Sequence, residues 1–157
     1  MSHSEPLPAT IWERTYQIAV VVKNLDQAIS FYEDLGIGPF EEGPSAHTTR
    51  REIYGVESPD VSVKGKIAQM GPIEFELLQP VKGSGIQAEF LEEHGEGVIH
   101  ICAYTDDLDR DMNLMESKNC PVISYGELGD GGRFAYFDTR SVGGLILELF
   151  QTGETWE

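Results

Sequence analysis

The sequence contains an internal repeat, which restricts the possible folds more than any other feature. Residues 17–26 (QIAVVVKNLD) align without a gap with residues 100–109 (HICAYTDDLD), and residues 73–80 (IEFELLQP) resemble residues 145–152 (LILELFQT). Both segments of the first pair begin with a polar residue, continue with an apolar run and a short polar turn, and end in Leu-Asp. Repetition of this kind indicates two copies of one supersecondary unit that share a core.

Each copy predicts a strand, a helix and then three more strands. Asp26 and Asp109 are predicted as helix N-caps, because a short carboxylate can accept the free backbone N–H groups of a first turn. The strand-like runs that follow are 48–54, 61–70 and 73–78 in the first copy, and 122–125, 133–138 and 145–150 in the second. A short helix is predicted at 87–94 between the copies, closed by Gly95.

The predicted fold class is therefore α+β, with two βαβββ modules that form paired curled mixed sheets around a shared cleft. A length of 157 residues suits one domain, or two small modules that share a core. The predicted divisions are a flexible N-terminal arm at 1–12, a first module at 13–83, a connector at 84–95, a second module at 96–152 and a C-terminal tail at 153–157.

The charge balance excludes several classes of partner. The net charge is −16, from 27 acidic and 11 basic residues, and such a surface repels nucleic-acid phosphates and anionic lipid. No apolar run approaches the ~18 residues of a membrane span. The N-terminus has no secretion-signal pattern, and the two cysteines lack CxxC spacing, so a reduced, cytoplasmic location is expected.

Two glutamates interrupt the most apolar strands of the chain. Glu76 lies within the predicted strand 73–78 and not at its end. Side chains alternate between the faces of a strand, so Glu76 shares a face with Leu78. The repeat aligns Glu76 with Glu148 and Gln17 with His100. A buried, unpaired carboxylate costs several kcal/mol, so each must be protonated, ion-paired, exposed or bound to a cation.

These four residues together predict a divalent metal site in the cleft. One imidazole, one amide oxygen and two carboxylates suit Zn²⁺, Co²⁺, Ni²⁺ or Mn²⁺, with positions left for water or substrate. Each residue also has an ordinary explanation: a polar strand start for Gln17, exposed or paired carboxylates for Glu76 and Glu148, and a core histidine for His100. Their coincidence at repeat-related positions favours the metal site.

Three longer stretches carry a family resemblance: QIAVVVKNLDQAISFYEDLGIGPF, EFLEEHGEGVIHICAYTDDLD and GGRFAYFDTRSVGGLILELFQ. They resemble the vicinal oxygen chelate superfamily, also called the glyoxalase/bleomycin-resistance fold, and within it the methylmalonyl-CoA epimerases. The resemblance implies one metal ion held by the first and last strand of each module, at Gln17, Glu76, His100 and Glu148. It also implies an acyl-CoA as the small-molecule partner and a homodimer.

The chain departs from the epimerase pattern at two of these positions. Epimerases have His and Gln where this chain has Gln17 and Glu76, and the resulting Gln/Glu/His/Glu set is similar to that of zinc-type glyoxalase I. Glyoxalase I, however, has Arg and Asn where this chain has Val21 and Pro80. Epimerases also carry a base on the preceding strand, and that position falls near 64–66, where the chain has no glutamate.

The predicted chemistry is abstraction of a proton next to a thioester carbonyl. A metal ion stabilises the enolate charge as a Lewis acid, and Glu148 and Glu76 are candidate bases on opposite sides of the substrate. The predicted function is a metal-dependent epimerase that acts on an acyl-CoA, most simply methylmalonyl-CoA. The alternatives are a glyoxalase-type lyase on a thiol hemithioacetal and a metal-free binding protein of the resistance type. An extradiol dioxygenase is disfavoured, because only His100 matches its two-His, one-Glu triad.

Five more residues allow two interpretations. Lys66, Arg50 and Arg51 are candidates to attract a carboxylate or a CoA phosphate, although exposed basic residues are common on any protein surface. Phe134 and Tyr136 are predicted as core residues in preference to a substrate platform.

Overall fold

The computed structural model describes residues 5–153 and confirms the predicted α+β class, with one mixed sheet curled into a half-barrel and three α-helices. The strands are β1 Thr15–Val21, β2 Glu41–Glu42, β3 Thr48–Ile53, β4 Val56–Glu57, β5 Ser62–Met70, β6 Ile73–Lys82, β7 Gly97–Tyr104, β8 Val122–Leu128, β9 Arg133–Phe137 and β10 Ile146–Gln151. The helices are α1 Leu25–Asp34, α2 Ile86–His94 and α3 Leu108–Glu116, and short 3-10 turns occupy Ala9–Trp12 and Pro44–His47.

The repeat is visible at the centre of the sheet. The strand order is β2-β5-β6-β1-β7-β10-β9-β8-β3-β4. β1 is parallel to β6, β7 is parallel to β10, and the two pairs meet through the antiparallel contact of β1 with β7. The first and last strands of both copies therefore lie side by side, which places the predicted site residues on neighbouring strands.

Duplication of one unit suggests that β3 pairs within the first half of the chain, but β3 pairs with a strand of the second half. The two-residue strand β2 takes the outer edge of β5, and the chain then turns through Pro44–His47. β3 adds to the outer edge of β8, with Arg51 opposite Gly126 and Ile53 opposite Ser124. A strand of the first half thus completes the sheet of the second half, and Pro44–His47 connects the two edges of the curl.

The helix N-caps differ from the predicted ones by two residues in both copies. Asn24 and Asp107 accept hydrogen bonds from the backbone N–H three residues further on, and both have non-helical backbone angles. The prediction of Asp26 and Asp109 as caps is wrong, because both lie inside the first helical turn, where their carboxylates face the positive end of the helix dipole. α2 ends at Gly95, whose φ of 77° is the left-handed conformation that glycine adopts easily.

Three apolar clusters hold the structure together. One lies under α1 and includes Leu25 and Leu77, and a second lies under α3 and includes Leu108 and Phe137. The third fills the concave side of the sheet and borders the cleft. Burial of apolar surface contributes roughly 25 cal/mol per Å², so these clusters fix the strands that carry the site.

The chain termini are described only in part. Residues 1–4 of the predicted arm and 154–157 of the predicted tail lie outside the described residues. Ala9–Trp12 forms a 3-10 turn, and its Ile11 is buried in the cluster under α3. Within residues 5–153, no helix combines the length and the apolar character that crossing a bilayer requires.

Candidate active site

The four predicted site residues lie on the four central strands of the sheet. Gln17 is on β1, Glu76 on β6, His100 on β7 and Glu148 on β10. The strand register places them at two adjacent levels. Ala19 is the cross-strand neighbour of both Glu76 and His100, and Cys102 is the neighbour of both Gln17 and Glu148. The pairing of the two copies therefore brings together side chains that are far apart in sequence.

The four side chains converge on one nitrogen atom. His100 Nε2 lies 2.8 Å from Gln17 Oε1, 2.9 Å from Glu148 Oε1 and 3.5 Å from Glu76 Oε1. His100 is completely buried, and the other three are only 5–6% exposed. Within the described residues, His100 Nδ1 has no hydrogen-bond partner, so the ring interacts with the polar cluster through Nε2.

The cluster is short of positive charge. Burial acts to lower the pKa of His100, but Glu148 and Glu76 outweigh it and raise that pKa to about 10. Glu148 forms the shorter ion pair with the imidazolium, at 2.9 Å, and Glu76 forms the longer one, at 3.5 Å. Burial raises the pKa of Glu76 more than the His100 contact lowers it, because one imidazolium cannot balance two buried carboxylates. The site thus stabilises an additional cation or proton.

Glu74 positions one of the four residues and was not predicted as part of the site. Gln17 Nε2 donates a hydrogen bond to Glu74 Oε1 at 2.7 Å, which turns the other end of the amide, Oε1, toward His100. Burial raises the pKa of Glu74, and the bond from Gln17 opposes that shift. The signal was present in the sequence, because Glu74 shares a strand face with Glu76.

A solvent-open cleft lies over the cluster. Gln17, Glu76 and Glu148 line this cleft, whereas His100 lies buried beneath its floor. The remaining lining comes mainly from the 3-10 turn, β3, β9 and α2, and includes Pro44, Ser45, Arg51, Gln87, Phe134 and Tyr136. Leu78, Val63 and Phe150 add apolar wall. The cleft therefore combines a charged floor with partly apolar sides.

The structure distinguishes the residues for which the sequence allowed two interpretations by whether they line the cleft. Arg51 lines the cleft, while Arg50 is ion-paired with Glu52 at 2.6 Å and Lys66 is absent from the cleft lining. Phe134 and Tyr136 are buried as predicted, and both also border the cleft. Arg51 shares a strand face with the buried Ile53, and that alternation is the sequence signal that points it inward.

The donor set fits a divalent metal ion in its chemistry. Ligands that share one ion at about 2.1 Å are separated from each other by about 3 Å, and the three oxygens lie 2.8, 2.9 and 3.5 Å from His100 Nε2. In this structure the contacts are hydrogen bonds and ion pairs, and among residues 5–153 no group of three or more His, Cys, Asp or Glu side chains meets the geometry of a metal centre. The excess negative charge is the second property that suits a cation.

Comparison with known proteins defines the family. The sequence profile of the glyoxalase/bleomycin resistance protein/dioxygenase superfamily matches residues 16–137, and the chain belongs to this superfamily. It is 26% identical to mouse mitochondrial methylmalonyl-CoA epimerase over 147 residues, which cover 90% of this chain and 75% of the mouse protein. It is 25% identical over 139 residues to the uncharacterised protein YqjC of Bacillus subtilis, covering 87% of this chain and 90% of YqjC.

Solved structures support the same fold assignment. The crystal structure of methylmalonyl-CoA epimerase from Mycobacterium tuberculosis superposes with a TM-score of 0.66 at 18% identity, covering 94% of this chain and 93% of that one. A methylmalonyl-CoA epimerase in complex with methylmalonyl-CoA and NH4+ gives a TM-score of 0.64 at 20% identity, covering 90% and 95%. At these identities the likeness establishes the fold alone.

Proposed function

We propose that this chain is a metal-dependent isomerase that moves the proton next to a thioester carbonyl, in the manner of a methylmalonyl-CoA epimerase. One observation carries the proposal: two buried glutamates, one from each half of the chain, flank a buried histidine at the floor of a cleft. The similarity to the mouse epimerase in sequence supports the same reaction class.

Gln17, Glu76, His100 and Glu148 are the residues that would hold the metal ion, which we propose to be Co²⁺, Zn²⁺, Ni²⁺ or Mn²⁺. When bound, such an ion supplies Lewis acidity, which lowers the energy of negative charge on a carbonyl oxygen. Glu74 orients Gln17 within this set, as the outer partners of metal ligands commonly do.

Glu76 and Glu148 are the proposed bases. They approach His100 from β6 and β10, which lie on opposite sides of the β1–β7 pair. Epimerisation requires one group to take the proton from one face of the carbon and another to return it to the opposite face. Burial raises the pKa of Glu76, and a carboxylate with a raised pKa binds a proton more readily at neutral pH.

Tyr136 and Gln87 are proposed to orient the substrate. Gln87 Nε2 donates to the Tyr136 hydroxyl oxygen at 3.0 Å, so the hydroxyl hydrogen is free to donate to another group. Burial raises the pKa of Tyr136 well above its ordinary value, which keeps that hydrogen in place. The apolar wall beside these groups limits access of water to the reacting carbon.

Proton exchange at the acidic carbon tests the proposal directly. Methylmalonyl-CoA is incubated with the protein in D₂O, and loss of the α-proton signal is followed by NMR. We expect Glu148→Gln to slow exchange by about 100-fold or more, the usual loss when a general base is removed. Glu42→Gln, a change at an exposed glutamate on β2, is the matched control and retains the rate. Exchange that persists at the wild-type rate in Glu148→Gln overturns the assignment.

The donor identities also favour a second candidate. Gln17 and Glu76 match the glyoxalase I-like pattern more closely than the epimerase pattern, so a lyase acting on a thiol hemithioacetal is the alternative. The same protein sample distinguishes the two, because only a lyase converts an added hemithioacetal into a thioester. A sample that binds ligand but catalyses neither reaction supports the metal-free binding protein. The homodimer and the cytoplasmic location stay predictions.

A further inference from the structure

Arg51 differs from every other arginine in residues 5–153. Arg14, Arg50, Arg110, Arg133 and Arg140 each have a carboxylate oxygen within 4.0 Å. Arg51 has no such partner among the described residues, although the chain carries 27 acidic side chains. In so acidic a protein, an arginine without an ion pair requires an explanation.

Arg51 is also held partly away from water inside the cleft. It lines the same cleft as Glu76 and Glu148, and burial lowers its pKa below the ordinary arginine value. Removing a cation from water without an opposing charge is unfavourable, and the cost is recovered only when an anion binds. The half-buried guanidinium is therefore electrostatically incomplete in the ligand-free chain.

The sheet register builds a platform beneath this guanidinium. Arg51 on β3 is opposite Gly126 on β8, and Gly126 is opposite Phe134 on β9. A β-carbon at Gly126 would lie 2.2 Å from the Phe134 ring, so only glycine lets the ring lie over that strand. The Arg51 guanidinium then lies over the Phe134 ring, 6.0 Å from its centroid. The arrangement restricts the guanidinium without neutralising it.

The neighbouring residue shows that this environment is specific to one position. Arg50 points to the other face of β3 and binds Glu52 at 2.6 Å, with Glu57 at 3.8 Å. Two adjacent arginines thus have opposite electrostatic states, one satisfied by the protein and one left open toward the cleft. Arg50 provides a matched control for Arg51.

We propose that Arg51 binds a carboxylate carried by the acyl group of the substrate, and so selects dicarboxylic acyl thioesters over neutral ones. The inference rests on the proposed function, which supplies the thioester. A planar carboxylate matches the two-pronged guanidinium, and the anion completes the charge that the cleft leaves open. A phosphate of the thiol carrier offers similar chemistry. The acyl carboxylate is favoured because Arg51 shares one cleft with the proposed bases, which act on the acyl group.

Binding of two thioesters that differ by one carboxylate tests the inference. Methylmalonyl-CoA is propionyl-CoA plus that group, and calorimetry gives the ratio of their dissociation constants. We expect Arg51→Met to reduce the preference for methylmalonyl-CoA by about 10- to 100-fold, the range for a charge-assisted pair, while propionyl-CoA affinity is retained. Arg50→Met keeps the wild-type ratio, and Arg51→Lys recovers part of it. Unchanged urea midpoints confirm that the variants are folded.

Two further arms separate the possible failures. The same pair made on pantetheine carries no phosphate, and the wild-type preference should persist with it. Equal weakening of both CoA thioesters in Arg51→Met, or loss of the effect on pantetheine, assigns Arg51 to a phosphate and overturns the inference. An unchanged ratio in Arg51→Met also overturns it, while α-proton exchange by the same sample leaves the proposed function standing. Failure of wild type to bind either CoA thioester overturns both.

Discussion

The charge state of His100 predicts how the stability of the metal-free protein depends on pH. In the folded chain, Glu148 and Glu76 raise the pKa of His100 from 6.5 to about 10. A pKa raised by folding means that the folded state holds a proton that the unfolded state has lost. The resulting stability is complete below pH 6.5 and is lost progressively as pH rises toward 10.

The magnitude follows from the size of the shift. Each pKa unit corresponds to about 1.4 kcal/mol, so the whole shift is worth roughly 5 kcal/mol. Between pH 6.5 and 8.0, before tyrosine and lysine begin to titrate, the free energy of unfolding should fall by about 2 kcal/mol. For a chain of this length, that fall corresponds to a decrease in melting temperature of about 4–8 °C.

Urea unfolding of chelator-treated protein at intervals across this pH range measures the slope. His100→Gln removes the imidazole and should reduce the slope, leaving the part that comes from Glu76, whose pKa burial also raises. His94→Gln changes an exposed histidine beside Glu93 and should retain the full slope. A wild-type protein whose stability does not change over this range refutes the imidazolium. A slope that is unchanged in His100→Gln assigns the effect to another group.

Two further variants test the supports of the site. Gly126→Ala places a β-carbon 2.2 Å from the Phe134 ring and should lower the free energy of unfolding in urea by about 1–3 kcal/mol. Gly129→Ala is the control, because the nearest atom to its β-carbon would be 3.7 Å away. Equal stability of the two variants would contradict the close packing of Phe134 on Gly126. Glu74→Ala frees the Gln17 amide and should weaken Co²⁺ binding about tenfold by calorimetry, and an unaltered affinity would show that Glu74 has no positioning role.

Much of the site is encoded in local sequence patterns. Strand alternation gave the inward faces of Gln17 and Glu76, and the repeat gave their counterparts His100 and Glu148 without any knowledge of which strands pair. The two copies meet through their equivalent first strands, β1 and β7, and their last strands, β6 and β10, flank this pair, so the four positions lie close to the shared axis. Four polar side chains on the inner faces of those strands therefore point toward the same region of the cleft.

The parts that were not predicted depend on pairings that local patterns do not specify. The run that forms β3 has the composition of a strand, but its composition does not distinguish the edge of β5 from the edge of β8. The turn at Pro44–His47 directs the chain to the edge of β8, and pairing of β3 with β8 places Arg51 in the cleft. The predicted helix cap was wrong for a simpler reason. Asn is as good an N-cap residue as Asp, and Asn24, not Asp26, is the residue immediately before the helix.

The metal content of the purified protein tests the central claim most directly. The protein is purified without a metal-affinity tag, incubated with Co²⁺, Zn²⁺, Ni²⁺ or Mn²⁺, desalted and measured by elemental mass spectrometry. We predict about one ion per chain in the wild type and a large loss in His100→Ala, because Nε2 is the atom on which the other three side chains converge. A wild-type protein that retains no ion after any of these incubations would contradict a metal-dependent site.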